Sequence, residues 1–176
     1  MKGAVMRHDR RRLTALVTML AALMTILLAV PASASQGMTQ ISGEAVPVDD
    51  CNGQTSLATL QLSGSLEGCW YLTSIEDSRW NPVSGIYQEV GTELFDGCYV
   101  RAGEPDVCGT FATTFRFTAQ FPPGPEPDFA NEIHGRCQHP ITAGTGTGDL
   151  TGITGRLDFK DDVDAGIFYY RGHLRL

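Results

Sequence analysis

No C-x-x-C pair, no G-x-S-x-G turn and no Gly-Lys-Ser/Thr loop occurs in the 176 residues. These absences exclude a thioredoxin-type redox motif, the nucleophile elbow of an α/β-hydrolase and a phosphate-binding P-loop. Helix-forming runs of Ala, Leu, Glu and Lys are missing after residue 35, and Gly or Pro interrupts about every ten residues, so no window sustains a helix. Clusters of Lys and Arg are missing there too. Five of the 13 Lys and Arg residues lie in the first 34 positions, as does only Asp9 of the 20 Asp and Glu. Residues 35–176 therefore hold eight basic against 19 acidic residues, a net charge of −11. With its basic residues scattered singly along the chain, such a domain is not expected to bind nucleic acid or to be held on anionic lipid by charge.

What is present begins with a targeting segment. Arg10, Arg11 and Arg12 precede a largely apolar run from Leu13 to Val30, followed by Pro31-Ala32-Ser33-Ala34. This order of basic, apolar and small residues predicts a signal peptide over 1–34 with cleavage near Ala34. An uncleaved anchor is the alternative, since about 18 apolar residues can also cross a bilayer. No Cys follows the small residues, and no later segment is long and apolar enough to span a membrane. The expected product is secreted or held in the cell envelope, without a stable membrane anchor after cleavage. Asp9-Arg10-Arg11-Arg12-Leu13 leaves open Sec or twin-arginine export.

All five cysteines fall after the signal, where an oxidising compartment lets them pair. Cys98 and Cys108 are expected to form a disulfide, because Gly97, Gly103, Pro105 and Gly109 make the connection turn-rich. Cys51, Cys69 and Cys137 leave three choices for a second bridge.

Along the mature chain, residues 35–56 are polar and are read as an exposed leader or an edge strand. One domain is expected over 57–176. Leu60, Leu62 and Leu66 alternate with polar residues, and Gly85 to Val90 and Glu93 to Phe95 are β-prone. The clearest strand is Thr110 to Phe121, with Phe111, Thr113, Phe115, Phe117, Ala119 and Phe121 on one face and Arg116 among the polar residues of the other. Pro122 to Asp128 stops it. Strands resume at Glu132 to Pro140, Arg156 to Phe159 and Gly166 to Leu176. Short strands with Phe-rich faces predict an all-β domain that closes, or nearly closes, into a barrel.

Several clusters invite a chemical reading. Gly144 to Gly155, with five glycines in twelve residues, could cradle phosphate, but no helix follows it, so tight bends and close backbone approach explain it better. His134, Cys137 and His139 could ligate zinc, yet strand geometry places His134 opposite the other two, and no metal site is expected. Asp158, Asp161, Asp162 and Asp164 could hold calcium but read as a solvated hairpin turn closed by Ala165-Gly166. Trp70, Tyr71 and Tyr87 could wall an apolar pocket with Phe115 and Phe117. Glu93, and also Glu132 or Arg116, could point into a lumen and polarise a ligand. Trp80 falls in a polar stretch, Asp77 to Pro82, that reads as a loop.

Arg136-Cys137-Gln138-His139-Pro140-Ile141, Gly144-Thr145-Gly146, Gly148-Asp149-Leu150-Thr151-Gly152-Ile153-Thr154-Gly155, Leu157-Asp158-Phe159 and Tyr170-Arg171-Gly172-His173-Leu174 together resemble the allene oxide cyclase barrel-like proteins, relatives of dirigent proteins. The resemblance covers residues 105–176 and is faint before Cys69. It implies an antiparallel eight-stranded β-barrel of calycin type with an apolar lumen. In the characterised relatives such a barrel steers cyclisation or coupling of an unstable intermediate by holding one conformation, with no metal or organic cofactor. No catalytic residue carries over. Dimers and trimers occur among the relatives, so a homo-oligomer is conceivable for this chain too. The function expected first is binding of a small apolar or amphipathic molecule in the lumen. The alternatives are a cyclase or isomerase acting by confinement, and a filled barrel with a structural or envelope-interaction role.

Overall fold

The computed structural model describes residues 37–176, so the expected signal peptide and cleavage site lie outside the described residues. Eight strands follow in order: β1 (Thr39–Pro47), β2 (Thr59–Gly64), β3 (Leu66–Asn81), β4 (Ile86–Tyr99), β5 (Val107–Gln120), β6 (His134–Pro140), β7 (Thr154–Asp162) and β8 (Ile167–Arg175). Each pairs antiparallel with its sequence neighbour, and β1 pairs with β8 to close the barrel. The all-β closed barrel expected from the strand pattern, and the antiparallel eight-stranded form that the resemblance implies, are the fold observed.

Period-two alternation decides what enters the lumen. From β5, Phe111, Thr113 and Phe115 are buried while Thr114 and Arg116 are exposed. Trp70 of β3, Phe95 of β4, Leu157 and Phe159 of β7 and Tyr170 of β8 complete one continuous core. Trp70 lies at the centre, with its ring against those of Phe95, Phe111 and Phe159. Full burial of one such aromatic stabilises by about 2–3 kcal/mol. These side chains fill the lower part of the lumen.

Residues 39–47, expected in a leader or at an edge, instead form β1, hydrogen-bonded on both sides. Its inward residues are Ile41 and Ala45, with Gly43 between them. A side chain at Gly43 would overlap the Ser63 carbonyl and the Tyr170 hydroxyl. That hydroxyl fills the gap, accepting from the Leu66 amide at 2.7 Å and donating to the Ser63 carbonyl at 3.0 Å. The glycine that makes β1 look weak in sequence is what lets β8 lock the β2–β3 turn. Asp77 to Asn81, expected as loop, continues β3 instead. Two bulges, between Leu72 and Ser74 and between Ile75 and Asp77, break its alternation.

The glycine-rich segment solves a hydrogen-bonding problem. β6 pairs with β5 only over Arg116 to Gln120, so the lower half of β5 needs another partner on that side. The Thr142 and Thr147 amides donate to the carbonyls of Ala112 and Thr110 at 2.9 Å each. The Thr145 and Thr147 hydroxyls accept from the amides of Ala112 and Thr110 at 3.0 Å each. A one-turn 3-10 helix, Gly148–Leu150, then drops Leu150 and Ile153 into the lower end of the barrel as a plug. Gly109 is required there, because a side chain would strike the Thr147 carbonyl.

Cys98 and Cys108 are directly opposed in β4 and β5 and form the expected disulfide, with Cα atoms 4.0 Å apart. Closing so short a loop stabilises by about 3 kcal/mol. The second disulfide joins Cys51 to Cys69, leaving Cys137 free and buried. Two disulfides mark an oxidising, extracytoplasmic environment. Among the described residues no helix is long and apolar enough to cross a membrane. Because Gly109 sets the approach of the sealing segment, Gly109→Ala is expected to cost about 2 kcal/mol, a fall in Tm of roughly 5–10 °C by calorimetry.

Candidate functional site

Above the packed layers the barrel opens into a cavity of about 150 Å³. Its wall is apolar, with Leu60 of β2, Leu72 of β3, Phe115 and Phe117 of β5, Phe159 of β7 and Phe168 of β8. Three carboxylates and one imidazole interrupt that wall: Glu89 and Glu93 of β4, Asp161 of β7 and His139 of β6. The glutamates arrive there because β4 keeps strict alternation past Phe95, so Gly91 and the two glutamates stay on its inward face.

Glu93 and His139 form the floor. The imidazole Nδ1 lies 2.5 Å from Glu93 Oε2, and the Thr113 hydroxyl donates to the same oxygen at 3.3 Å. The His139 side chain is 2% exposed and that of Glu93 12%, so the carboxylate is the member that reaches the cavity. The imidazole is held edge-on to Trp70, at a centroid distance of 5.3 Å, and against Phe159 at 4.4 Å. The second ring nitrogen of the imidazole is Nε2. Neither that nitrogen nor the Trp70 indole N–H has a partner among the described residues. A carboxylate that orients an imidazole inside an apolar wall can hold a ligand's hydrogen-bonding group and can move a proton.

A second polar pair borders the rim. Glu132, which follows the one-turn 3-10 helix Phe129–Asn131, meets Asp161 beside Gly135, where a side chain on Gly135 would overlap both carboxylates. Burial first, then the hydrogen bond and charge of Asp161, push Glu132 up to about 8, and burial raises Asp161 too. Glu132 thus holds its proton more tightly than a free carboxyl. Cys137 lines the same cavity. Burial, then the charges of Glu93 and Asp161, push its thiol up, so it remains protonated and serves as a small apolar wall.

Of the residues singled out from sequence, Glu93, Phe115 and Phe117 line the cavity, and Trp70 lies just beneath it. Tyr71 does not: it points out from β3, packs on the Cys51–Cys69 bridge and donates to the Cys51 carbonyl at 2.7 Å. Its neighbour Trp70 takes the inward position, and adjacent residues of a strand cannot share a face. Tyr87 also stands outside the cavity, in an aromatic cluster with Phe121 and Phe129 that pins the Pro-rich loop. Its hydroxyl donates to Glu89 at 2.5 Å, and burial, then that bond, raise it to about 12. Trp80, half-buried in the same cluster, donates to the Gly124 carbonyl at 3.0 Å. Glu132 reaches the rim, whereas Arg116 faces outward.

Sequence reasoning passed over His139 as a site residue and weighed it only as a zinc ligand. The signal available was its inward parity with Cys137. The clusters weighed for metals come apart in space. His134 is exposed outside the wall, Asp158 pairs with Arg156 and Asp162 caps the β7–β8 turn through the Ala165 amide.

The raised Glu132 carboxyl gives stability a direction with pH. Glu132 binds its proton more tightly folded than unfolded, so stability is greatest below its ordinary value of 4.5 and is lost as pH rises through about 8. Thermal melts between pH 4.5 and 8.5 are expected to show Tm falling with pH, and Glu132→Gln to flatten that slope.

Comparison with known proteins gave no matching family model and no match among curated proteins.

Proposed function

We propose that the barrel binds a small amphipathic molecule at its mouth, with its apolar body against Phe115, Phe117 and Phe168 and its polar end on Glu93. The observation that carries this reading is the apolar cavity floored by the Glu93–His139 pair. A cavity of about 150 Å³ accommodates a benzene-sized group. The occupant is therefore a small ring, or one end of a longer molecule whose remainder lies at the rim. A purely structural, filled barrel fits less well. Its lower layers are filled, but three carboxylates facing an apolar cavity cost stability that a plain core would avoid.

A second reading is chemistry by confinement, in the manner of allene oxide cyclase-like and dirigent-like proteins. The closed eight-stranded barrel and the Gly-Thr segment along β5 are consistent with that kinship. Glu93 would then exchange a proton with the bound molecule while the aromatic wall holds its conformation. The two disulfides and the basic-apolar-small order of residues 1–34 support an exported, signal-cleaved product.

Native mass spectrometry of the protein as secreted, before and after organic extraction, tests the binding. A stoichiometric extractable mass is expected, and so is uptake of phenol by ligand-observed NMR. Leu72→Trp, which fills the cavity, should reduce both at least about tenfold while leaving Tm unchanged or raised. No extractable mass and no phenol uptake would refute the binding reading. Turnover of the extracted molecule by wild type, lost in Glu93→Gln with binding retained, would select the second.

A further inference from the structure

The net charge of −11 on residues 35–176 conceals a segregated surface. Six of the eight basic residues, Arg116, Arg136, Arg156, Lys160, Arg171 and Arg175, occupy outward positions on the consecutive strands β5 to β8. On the outward positions of β6, β7 and β8 the acidic residues are Asp158 and Asp162, and Asp158 is engaged by Arg156 at 2.6 Å. The remaining acidic residues lie elsewhere, on the other strands, the loops and the mouth.

Strand register brings these residues together. In one row across the wall Arg136 stands opposite Lys160, and Lys160 opposite Tyr169. In the next row Arg116 is opposite Gln138, Gln138 opposite Asp158, and Asp158 opposite Arg171. Like charges placed directly opposite on paired strands destabilise a sheet. Arg136 and Lys160 accept that cost with no ion pair to either among the described residues. Between these rows lies an open groove of about 720 Å³ lined by Arg136, Arg156, Lys160, Tyr169 and Arg171. Tyr169 is 45% exposed and stands opposite Lys160.

We propose that this outer wall binds an anionic polysaccharide. Neighbouring strands repeat about every 4.8 Å, so the wall sets cationic groups in rows that suit a polymer carrying carboxylate or sulfate at regular intervals. A single anion would use one row at most. Arg136 and Arg171 supply planar guanidinium forks for carboxylate or sulfate oxygens, and Tyr169 supplies a flat apolar face for a sugar ring. The compartment agrees, since two disulfides place the protein where such polymers are met and nucleic acid is not the usual polyanion. The site is on the outside of the barrel and does not depend on occupancy of the mouth.

The test is affinity electrophoresis of the disulfide-intact protein through gels containing polygalacturonate, heparin or neutral dextran, with phosphatidylglycerol vesicles and duplex DNA as competitors. Retardation by polygalacturonate or heparin, none by dextran, and weakening as salt rises are expected. Arg136→Glu should raise Kd about tenfold while leaving Tm unchanged or higher, because it turns an opposed like-charge pair into an attractive one. Tyr169→Ala should weaken binding severalfold, and Arg79→Glu, away from the wall, should leave it unchanged. A misfolded variant would lower Tm and is thereby told apart from a folded one that has lost binding. Four results would overturn the proposal: no retardation by either acidic polymer, equal retardation of Arg136→Glu, equal retardation by dextran, or tighter binding to the vesicles or to DNA than to either polysaccharide.

Discussion

Closure of β1 onto β8 is the constraint on which the other features rest. Once the sheet has no edges, every strand has one face sealed inside and one outside, and the choice is set residue by residue with period two. An eight-stranded barrel is just wide enough for its side chains to fill it. Trp70, Phe95, Phe111 and Leu157 do so in the lower layers. Space for a ligand can then exist only where the inward faces stop being large and apolar. That is the mouth, where Glu89, Gly91 and Glu93 follow Phe95 along β4.

Closure also raises the stakes for every polar group it encloses. Thr113, His139 and Glu93 are inward because their parity is inward, and each must find its partner within the lumen. They find one another. The pair is asymmetric, since the histidine is wholly shielded by Trp70 and Phe159 while the carboxylate keeps an edge on the cavity. Glu132 and Asp161 meet the same demand differently, as two carboxyls side by side, where burial and the neighbouring Asp161 push Glu132 up to about 8. Polar groups of both kinds surround one small apolar space, an arrangement that a plain structural plug does not require.

The strands most legible in sequence were those whose inward positions are all apolar or Thr, β5 above all. Gly43 hid β1, because the inward position at its centre has no side chain and its hydrophobic signal falls to two residues. Two bulges hid the upper part of β3, which is why Asp77 to Asn81 read as loop although it is paired throughout. The Gly-Thr segment was correctly read as structural, but its purpose depends on the mismatch in length between β5 and β6, which no local pattern encodes. Site residues followed the same logic. Phe115 and Phe117 were found by parity, Glu93 as a carboxylate between apolar neighbours, Tyr71 was misplaced against the parity of its neighbour Trp70, and His139 went unrecognised because its partner lies 46 residues away.

Charge distribution was the least legible property, for a geometric reason. Arg116, Arg136, Arg156, Lys160, Arg171 and Arg175 are scattered singly in the chain, and a scan for basic runs passes over them. An antiparallel meander folds such spacing into adjacency, because strands that follow one another in sequence lie side by side. Net charge is a scalar that averages the whole surface, whereas a partner meets one wall within about a Debye length of 8–10 Å. An acidic protein can therefore carry a cationic face, and the opposed Arg136–Lys160 pair argues that the face is more than an accident of composition. Stability alone would favour an acidic residue at one of those two positions.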